Sequence, residues 1–374
     1  MKNDAKITII GAGVVGLAIA YQLSKKYDNI FVVEKNMQFG EETSARSSEV
    51  IHSGIYYPSN SLKTKLCIEG REMLYDFCDE FGVNYNKCGK LIIAVTEDEF
   101  SKLDKIKNQA FENGVNDVIE LSAEDLTKLE PNINALKALL VNDTGVLESY
   151  GFMKELEKLA NNKGVQFVYG STVKKIDKEN EGYRVFVTEN DDSTFDFSSE
   201  ILINASGLNS DVISKMLGIK NVNYELHYCK GEYFAVGNGK NKLVKRLVYP
   251  VPNPNLVGLG VHVTIDVDKG LKLGPNAIYQ TEREIDYTVD KNHKNDFFKS
   301  AKRFLPFLEK KDLYPAYSGI RPKLQKKGDP FRDFVIKEEK EIGLKNYYNL
   351  IGIESPGLTA SLAIGKYINK LIDK

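Results

Sequence analysis

The stretch "KITIIGAGVVGLAIAYQLSKKYDNIFVVEKN", residues 6–36, runs from an apolar segment through a glycine turn and an apolar helical pattern to a second apolar segment. This order predicts a βαβ unit of a parallel sheet. Gly11 allows the tight turn, Gly13 lets the backbone approach a pyrophosphate, and Gly16 lets the helix pack on the strand. Helix N-terminal N–H groups then bind phosphate, and Glu34 can accept hydrogen bonds from a ribose. The unit therefore predicts a dinucleotide site, without deciding between NAD and FAD.

Two later segments favour FAD. Residues 164–176 read as a strand, a short turn and another strand, and residues 200–213 as an apolar strand that enters a small-residue turn and a helix. A chain that returns to the dinucleotide sheet after long excursions is typical of a flavin domain of the glutathione-reductase-like type. The residues expected at the nucleotide from these segments are Val173, Ala205, Ser206 and Gly207.

The C-terminal segment "LIGIESPGLTASLAIGKYINKLI", residues 350–372, has a strand, a small-residue turn and a helix that starts near Leu358 and Thr359. The N-terminus of that helix offers N–H donors and a positive dipole end, which stabilise negative charge on a reduced isoalloxazine ring. The alternative interpretation is a simple helix cap by Ser355 or Thr359.

Composition limits the other possibilities. A chain of 374 residues exceeds the size at which one core usually stops growing, so two domains are expected. Lys plus Arg total 51 and Asp plus Glu total 52, which leaves no net field to recruit nucleic acid. The four cysteines lack metal or dithiol spacing, so reduced thiols and no metal site are predicted. The N-terminal run has no cleavage site, which predicts a cytoplasmic protein, with peripheral membrane contact left open.

Several segments spread along the chain resemble one family. They are "HSGIYYPSNSLKTKLC", "NKCGKLIIAV", "KGEYF", "VYPVPNPN", "LGVHVT", "KLGPNA" and "SGIRPK". In this order they closely resemble segments of the FAD-dependent L-2-hydroxyglutarate dehydrogenases and oxidases, which belong to the D-amino-acid-oxidase-like flavoproteins. The resemblance extends from Lys6 to about Ile372.

The resemblance implies a fold that combines α/β and α+β parts. A discontinuous, glutathione-reductase-like FAD-binding domain with a Rossmann-type βαβ unit is expected over residues 1–85, 145–215 and 318–374. An inserted substrate domain, built mainly on an antiparallel β-sheet, is expected over residues 86–144 and 216–317.

The sequence departs from this family in three places. The run "TSARSSE", residues 43–49, replaces the usual T-G-H-N-S-G, and the chain between Tyr287 and Tyr314 is shorter than in typical members. The turn "ESPGLTASLAIG" looks more like that of glycerol-3-phosphate oxidases. A glycerol-3-phosphate oxidase or dehydrogenase is therefore an alternative, and an amine or amino-acid oxidase of the same family is a third.

Oxidation of a 2-hydroxy acid needs a hydride acceptor, a base and a cation for the carboxylate. His52 is the predicted base, because a neutral imidazole can take a proton near neutral pH. A structural histidine or a covalent attachment point for FAD are the alternatives. Arg321 is the predicted carboxylate anchor, because a guanidinium pairs with a carboxylate through two parallel hydrogen bonds, and a surface salt bridge is its alternative. His262 either binds a distal carboxylate or satisfies a core hydrogen bond.

The predicted site has two further sets of residues. The substrate-binding set is Tyr57, Lys230, Tyr233 and Tyr249. The cofactor-binding set is Gly11, Gly13, Gly16, Glu34, Lys35, Thr43, Ser44, Ala45, Ser48, Val173, Ala205, Ser206, Gly207, Gly319, Gly357, Leu358 and Thr359. The electron acceptor is left open among oxygen, a quinone and a carrier protein. A catalytically silent flavoprotein that serves as a binding module is the competing class of function.

Overall fold

The computed structural model describes residues 3–251 and 260–374, so part of the matched segments "VYPVPNPN" and "LGVHVT" lies outside the described residues. The helices are α1 (Val14–Leu23), α2 (Leu62–Phe81), α3 (Phe100–Glu112), α4 (Ala123–Leu129), α5 (Ser149–Asn161), α6 (Ser210–Met216), α7 (Lys294–Lys302) and α8 (Gly357–Ile372). The strands are β1 (Ala5–Ile10), β2 (Ile30–Val33), β3 (Val50–Ile51), β4 (Tyr85–Asn86), β5 (Lys90–Ala94), β6 (Val118–Ser122), β7 (Lys137–Val141), β8 (Gly145–Leu147), β9 (Gln166–Val168), β10 (Ser171–Glu179), β11 (Gly182–Glu189), β12 (Thr194–Asn204), β13 (His227–Val236), β14 (Leu247–Pro250), β15 (Val263–Ile265), β16 (Leu271–Leu273), β17 (Ile278–Tyr279), β18 (Leu313–Lys323), β19 (Val335–Glu338) and β20 (Tyr347–Ile351).

The first sheet contains the predicted βαβ unit. Its strand order is β10-β11-β12-β1-β2-β9, with β20 paired to β12 and β19 to β20. The pairs of β1 with β2 and β12, of β2 with β9, and of β12 with β20 are parallel. Successive residues of β1 enter different cores, Ile9 on one face and Ile10 on the other. Burial on both faces explains why these strands read as nearly continuous apolar runs.

The glycine turn between β1 and α1 depends on close backbone contacts. Gly11 has a φ of +105°, and a Cβ there would lie 2.7 Å from the carbonyl oxygen of Ala205. A Cβ on Gly16 would overlap the carbonyl oxygen of Gly11. Both positions therefore exclude a side chain, which agrees with the mechanical duties predicted from the sequence.

The second sheet is mainly antiparallel, as expected for the inserted part. Its order is β17-β13-β16-β15-β14-β5-β7-β6, with β18 paired antiparallel to β13 along most of its length. The pair β5–β14 is the parallel exception. Strand β18 runs through residue 318, where a domain boundary is predicted, so one strand belongs to this sheet and also carries Gly319 and Arg321. The predicted boundaries stay a prediction.

Helix α8 is wedged between α1 and α2 at positions where side chains are small. A Cβ on Gly365 would lie 2.7 Å from the carbonyl oxygen of Ala18 in α1, and a Cβ on Gly70 in α2 would overlap the carbonyl oxygen of Thr359. These contacts bring the first turn of α8 beside the chain that follows β3. The C-terminal segment is thereby joined to the N-terminal dinucleotide unit.

The described residues contain neither a membrane-spanning helix nor a cluster of metal ligands. None of the helices there has both the length and the apolar character to cross a membrane. Over the same residues, no group of three or more His, Cys, Asp and Glu side chains is arranged to hold a metal ion. The four cysteines are free thiols.

We expect Gly16→Ala to unfold at a lower urea concentration than the parent, because the new Cβ forces the turn at Gly11 to shift, at a cost of about 1–3 kcal/mol. The measurement is urea unfolding of the FAD-free protein. Gly13→Ala is the matched control, since its Cβ would contact only the Ser44 hydroxyl, at 3.1 Å. This control should retain stability but carry less flavin. Equal stability of Gly16→Ala and the parent would contradict the packing role.

Candidate active site

Two connected cavities lie where the two large sheets meet. The nucleotide cleft, about 250 Å³, adjoins the glycine turn and the ends of β1 and β2. The reaction cleft, about 780 Å³, lies between the first turn of α8 and the second sheet. The residues that line both are Gly13, Thr43, Ser44, Ala205 and Gly207. The two cavities therefore form one continuous path.

The nucleotide cleft holds most of the predicted dinucleotide residues. Glu34 Oε2 accepts the Ala12 N–H at 2.8 Å, and Oε1 accepts the backbone N–H of Asn36 at 2.9 Å. Burial raises the pKa of the Glu34 carboxyl, and these two N–H donors oppose that shift. Glu34 thus stabilises the glycine turn through hydrogen bonds and also lines the nucleotide cleft. Lys35 also lines it and forms an ion pair with Glu42 at 2.6 Å. Val173 and Ser206 complete the expected lining.

Side chains of residues 43–49 form hydrogen bonds with both the start of α1 and strand β18. The Ser44 hydroxyl accepts the Val14 N–H at 3.0 Å, and the Thr43 hydroxyl donates to the Ile320 carbonyl at 3.1 Å. Ser48 lines the reaction cleft, whereas Ala45 is exposed and is not among the lining residues of either cavity. Glu49 has a φ of +58°, a left-handed conformation that is uncommon for a residue with a side chain.

His52 is held from three sides in the reaction cleft. Its backbone N–H donates to Thr359 Oγ1 at 3.0 Å, and its carbonyl accepts from the Cys67 thiol at 3.4 Å. Its Nε2 lies 3.2 Å from Ser355 Oγ. Burial, with smaller effects from Lys90 and His262, lowers the pKa of His52 to about 3. The imidazole is therefore neutral at physiological pH, as a general base must be.

His262 lies in the same cleft and is also neutral. Its Nδ1 is 2.8 Å from the Gly260 carbonyl oxygen, and its ring stacks on Tyr249 with 3.8 Å between centroids. Burial lowers the pKa of His262 to about 3 even though the Gly260 carbonyl opposes the shift. If Nδ1 carries the proton that the carbonyl accepts, Nε2 is the free ring nitrogen.

Arg321 lines the cleft with a guanidinium that the protein already holds. Nη2 donates to the Asn276 carbonyl at 2.7 Å and to the Lys230 carbonyl at 3.3 Å, while Nε donates to the Cys229 carbonyl at 3.3 Å. Among the described residues, Nη1 has no acceptor. A carboxylate would thus meet a cation in a fixed orientation, with Nη1 as the nitrogen free to bind it. The sequence-based prediction of two parallel hydrogen bonds needs two free nitrogens, so the structure differs from it.

The predicted substrate residues divide into two groups. Tyr57, Tyr233 and Tyr249 line the reaction cleft, and the Tyr57 hydroxyl donates to the Ser355 carbonyl at 3.2 Å. Lys230 does not line it, because its Nζ forms an ion pair with Asp286 at 2.7 Å. This placement differs from the sequence-based expectation for Lys230.

The first turn of α8 reaches the cleft as expected. Gly357 and Leu358 line it, so the positive end of the helix faces this space. Thr359 does not line the cleft; its hydroxyl donates to the Val50 carbonyl at 3.2 Å and accepts the His52 N–H. The Thr359 hydroxyl thus positions the backbone of His52, and the expected contact of Thr359 with the flavin stays a prediction. Gly319 lines the cleft opposite this turn, against the backbone of Arg46.

Sequence reasoning missed several groups at this site. Arg46 stacks on Tyr287, with 3.8 Å from its guanidinium carbon to the ring centroid, and its Nε has no hydrogen-bond partner among the described residues. Lys90 lies under the cleft floor and is 1% exposed. A lysine inside the apolar run of "CGKLIIAV" was a signal that could have been used.

A buried ion cluster forms one wall of the reaction cleft. Glu354 accepts from Lys63 at 3.1 Å and from Lys323 at 2.8 Å. Although burial alone would raise it, these two lysines lower the pKa of the Glu354 carboxyl to about 2. Glu354 is therefore ionised at any working pH, and it offsets part of the positive charge of the wall.

The residues present fit the predicted flavin cofactor. The two clefts are continuous, and Gly13 leaves open the space in which a pyrophosphate would meet the N-terminus of α1. Arg46 offers a cation without an acceptor in the described part of the chain. A neutral imidazole and a fixed guanidinium in the cleft beyond suit removal of a proton from an anionic substrate.

Comparison with known proteins gives one matching family and several similar enzymes. A family described as FAD dependent oxidoreductase, DAO, matches residues 6–371. A mitochondrial L-2-hydroxyglutarate dehydrogenase of Arabidopsis thaliana is 35% identical over 408 residues, which cover 99% of this chain and 84% of that protein. A glycerol 3-phosphate dehydrogenase of Caloramator mitchellensis is 31% identical over 364 residues, which cover 97% of this chain and 72% of that protein.

Among solved structures, the dithionite-reduced L-alpha-glycerophosphate oxidase of Mycoplasma pneumoniae with FAD bound superposes with a TM-score of 0.87. It is 27% identical, and the match covers 99% of this chain and 94% of that one. The whole chain thus has the architecture of a protein solved with flavin in place.

We expect the FAD-free protein to lose stability as the pH falls below about 6.5, because the unfolded chain binds protons at histidines that stay neutral in the native state. Below about pH 6.5, a buried imidazole such as that of His262 lowers the free energy of unfolding by up to about 1.4 kcal/mol per pH unit. Above that pH its contribution to stability is fully present. His262→Gln should reduce the slope of unfolding free energy against pH by about one proton, measured by urea unfolding between about pH 5 and 7.5. Parallel slopes would contradict the neutral His262.

Proposed function

This chain belongs to the FAD dependent oxidoreductase family, and we propose that it oxidises a 2-hydroxy acid, L-2-hydroxyglutarate, to 2-oxoglutarate. The observation that carries the proposal is the pairing of a neutral His52 with the fixed cation of Arg321 in one cleft. The identity of 35% with a plant enzyme named for this reaction supports the choice of substrate.

Four predictions from the sequence are confirmed by the family match and the superposition. They are the D-amino-acid-oxidase-like family, the combined α/β and α+β fold, the FAD cofactor and the assignment as an oxidoreductase. The roles of individual residues stay a prediction and belong to the proposal.

His52 is proposed to take the substrate's hydroxyl proton at Nε2. Bound FAD supplies the acceptor for the hydride that leaves the carbinol carbon. The C–H bond and the O–H bond are both broken and a carbonyl forms, so the base must be free to accept a proton at that moment. Ser355 Oγ, 3.2 Å from Nε2, can donate to this nitrogen only while no substrate is bound, so the substrate hydroxyl must take its place. The Thr359 hydroxyl fixes the backbone on which the ring is carried.

Arg321 is proposed to hold the carboxylate next to the reacting carbon. Three backbone carbonyls orient its guanidinium, so little side-chain entropy is lost when an anion binds. An anchored carboxylate places the carbinol between Arg321 and His52 and excludes water from the donor that it occupies. The electron acceptor, among oxygen, a quinone and a carrier protein, stays a prediction, as do the cytoplasmic location and peripheral membrane contact.

Oxidation of glycerol-3-phosphate is the second candidate. It is favoured by the turn at Ser355–Gly357 and by the two relatives named for that substrate. Arg321 would then hold a phosphate, and His52 would again take the hydroxyl proton. Oxidation of an amine or amino acid is the third candidate from the sequence.

An anaerobic screen separates these candidates. We expect L-2-hydroxyglutarate to bleach the flavin absorbance of the purified holoenzyme, with the D enantiomer, glycerol-3-phosphate and small amino acids at least about tenfold slower. Bleaching by glycerol-3-phosphate without a response to L-2-hydroxyglutarate would decide for the second candidate. A flavoprotein that no substrate reduces would decide for the silent binding module.

Replacement of the base should separate chemistry from cofactor binding. We expect His52→Asn to retain FAD but to slow flavin reduction by about 10²–10⁴-fold, because proton removal loses its acceptor. The measurement is anaerobic stopped-flow reduction at saturating substrate. His227→Gln is the control, since His227 is not among the residues that line the cleft. Reduction by His52→Asn within about threefold of the parent would remove His52 from this role.

A further inference from the structure

Lys90 is a buried cation beneath the end of the reaction cleft. It begins β5 in the second sheet and is 1% exposed. Its Nζ lies 4.8 Å from the ring centroid of Tyr56 and 5.1 Å from that of Tyr249. Both rings line the reaction cleft, so the ammonium group lies next to residues that border that space.

The charge of Lys90 has no counter-ion in the described part of the chain. Of the three buried lysines there, Lys63 pairs with Glu354 at 3.1 Å and Lys230 with Asp286 at 2.7 Å. Lys90 has only the Cys67 thiol as an electrostatic neighbour that favours its charged form. Buried ammonium groups are normally paired, because an isolated charge is costly to remove from water. A negatively charged ligand would supply the counter-ion that the described residues lack.

One hydroxyl group beside this lysine also lacks a partner among the described residues. The Tyr56 hydroxyl is buried and forms no hydrogen bond there. His262 stacks on Tyr249 and lines the cleft. This end of the cleft therefore offers a hydroxyl donor and a nearby cation, and it contributes no carboxylate of its own.

We propose that Lys90 is the counter-cation for the distal carboxylate of the substrate, and that the cleft end formed by Tyr56, Tyr249 and His262 thereby selects dianionic 2-hydroxy acids over monoanionic ones of equal length. The inference rests on the proposed function, in which Arg321 holds the first carboxylate. The aromatic rings attract the ammonium through their negative faces without neutralising it. Its field then acts across a medium of low dielectric constant, where it is screened less than in water.

Burial makes the charge of Lys90 sensitive to alkaline pH, and five titratable groups face it. They are His52, Tyr56, Cys67, Tyr249 and His262, and both imidazoles are neutral. Burial lowers the pKa of Lys90 to about 8. A carboxylate bound opposite favours the ammonium form, so affinity for a dianion is full below this pKa and falls as the pH rises through it.

The experiment compares two substrates in three holoenzymes. The substrates are L-2-hydroxyglutarate and the L-2-hydroxy acid of equal chain length that ends in a methyl group, and the proteins are the parent, Lys90→Met and Lys90→Arg. Anaerobic flavin reduction gives Kd and the limiting rate constant for each. We expect Lys90→Met to raise Kd for the dianion at least about tenfold and for the monoanion less than about threefold, with limiting rates little changed.

Lys90→Arg is the conservative control, because a guanidinium keeps its charge at alkaline pH. It should retain the preference for the dianion and remove the loss of affinity above about pH 8. The pH dependence of ligand binding in the parent is an independent test. The Kd for glutarate, measured from the flavin spectrum, should rise through this pH more steeply than the Kd for butyrate. Equal pH dependence of the two would overturn the proposal.

Failure of this inference can be told from failure of the proposed function. If L-2-hydroxyglutarate reduces the parent and Lys90→Met weakens both substrates equally, the role of Lys90 is overturned and the proposed function stands. If neither hydroxy acid reduces the parent, the proposed function fails and this inference fails with it. If Lys90 had only a structural role, Lys90→Met would unfold at a lower temperature than the parent. Removal of an uncompensated buried charge should instead raise the unfolding temperature.

Discussion

The hydroxyl of Thr359 connects helix α8 to the chain segment that carries His52. It accepts the N–H of His52 and donates to the carbonyl of Val50, two groups more than 300 positions earlier in the chain. Thr359 can do so because α8 packs against α1 and α2 through glycines that leave no room for a Cβ. The βαβ unit, the strand before His52 and the C-terminal helix are thus fixed against one another. Without that arrangement the imidazole would have no defined orientation towards the cleft.

Electrostatics at the site come from local placement and not from overall charge. The chain carries 51 basic and 52 acidic residues, so its net field is close to zero. The guanidinium of Arg321 lines the cleft and the ammonium of Lys90 lies beneath it, near two imidazoles that burial keeps neutral. Glu354 offsets the two lysines of the wall beside them. A site of this kind attracts an anion and still leaves a base free to accept a proton.

The sequence was informative where function requires a local backbone pattern. Gly11, Gly13 and Gly16 lie within six residues, and their spacing together with the flanking strands, the helix and Glu34 predicted the nucleotide site. Side-chain direction was harder to predict, because it depends on strand register. Tyr233 in β13 lines the cleft, whereas Lys230 in the same strand turns to Asp286. The contacts of Arg321 with three carbonyls and of Thr359 with His52 arise from tertiary packing across long separations. No local pattern encodes them.

The wedge formed by α8 also has a consequence for biosynthesis. The ribosome makes the glycine turn, His52 and both large sheets before it reaches α8, and N-terminal parts of a chain generally begin to fold first. A nascent chain can therefore assemble a nucleotide cleft while the backbone of His52 still lacks its tie to Thr359. Only when translation has passed this helix does the imidazole gain a fixed direction.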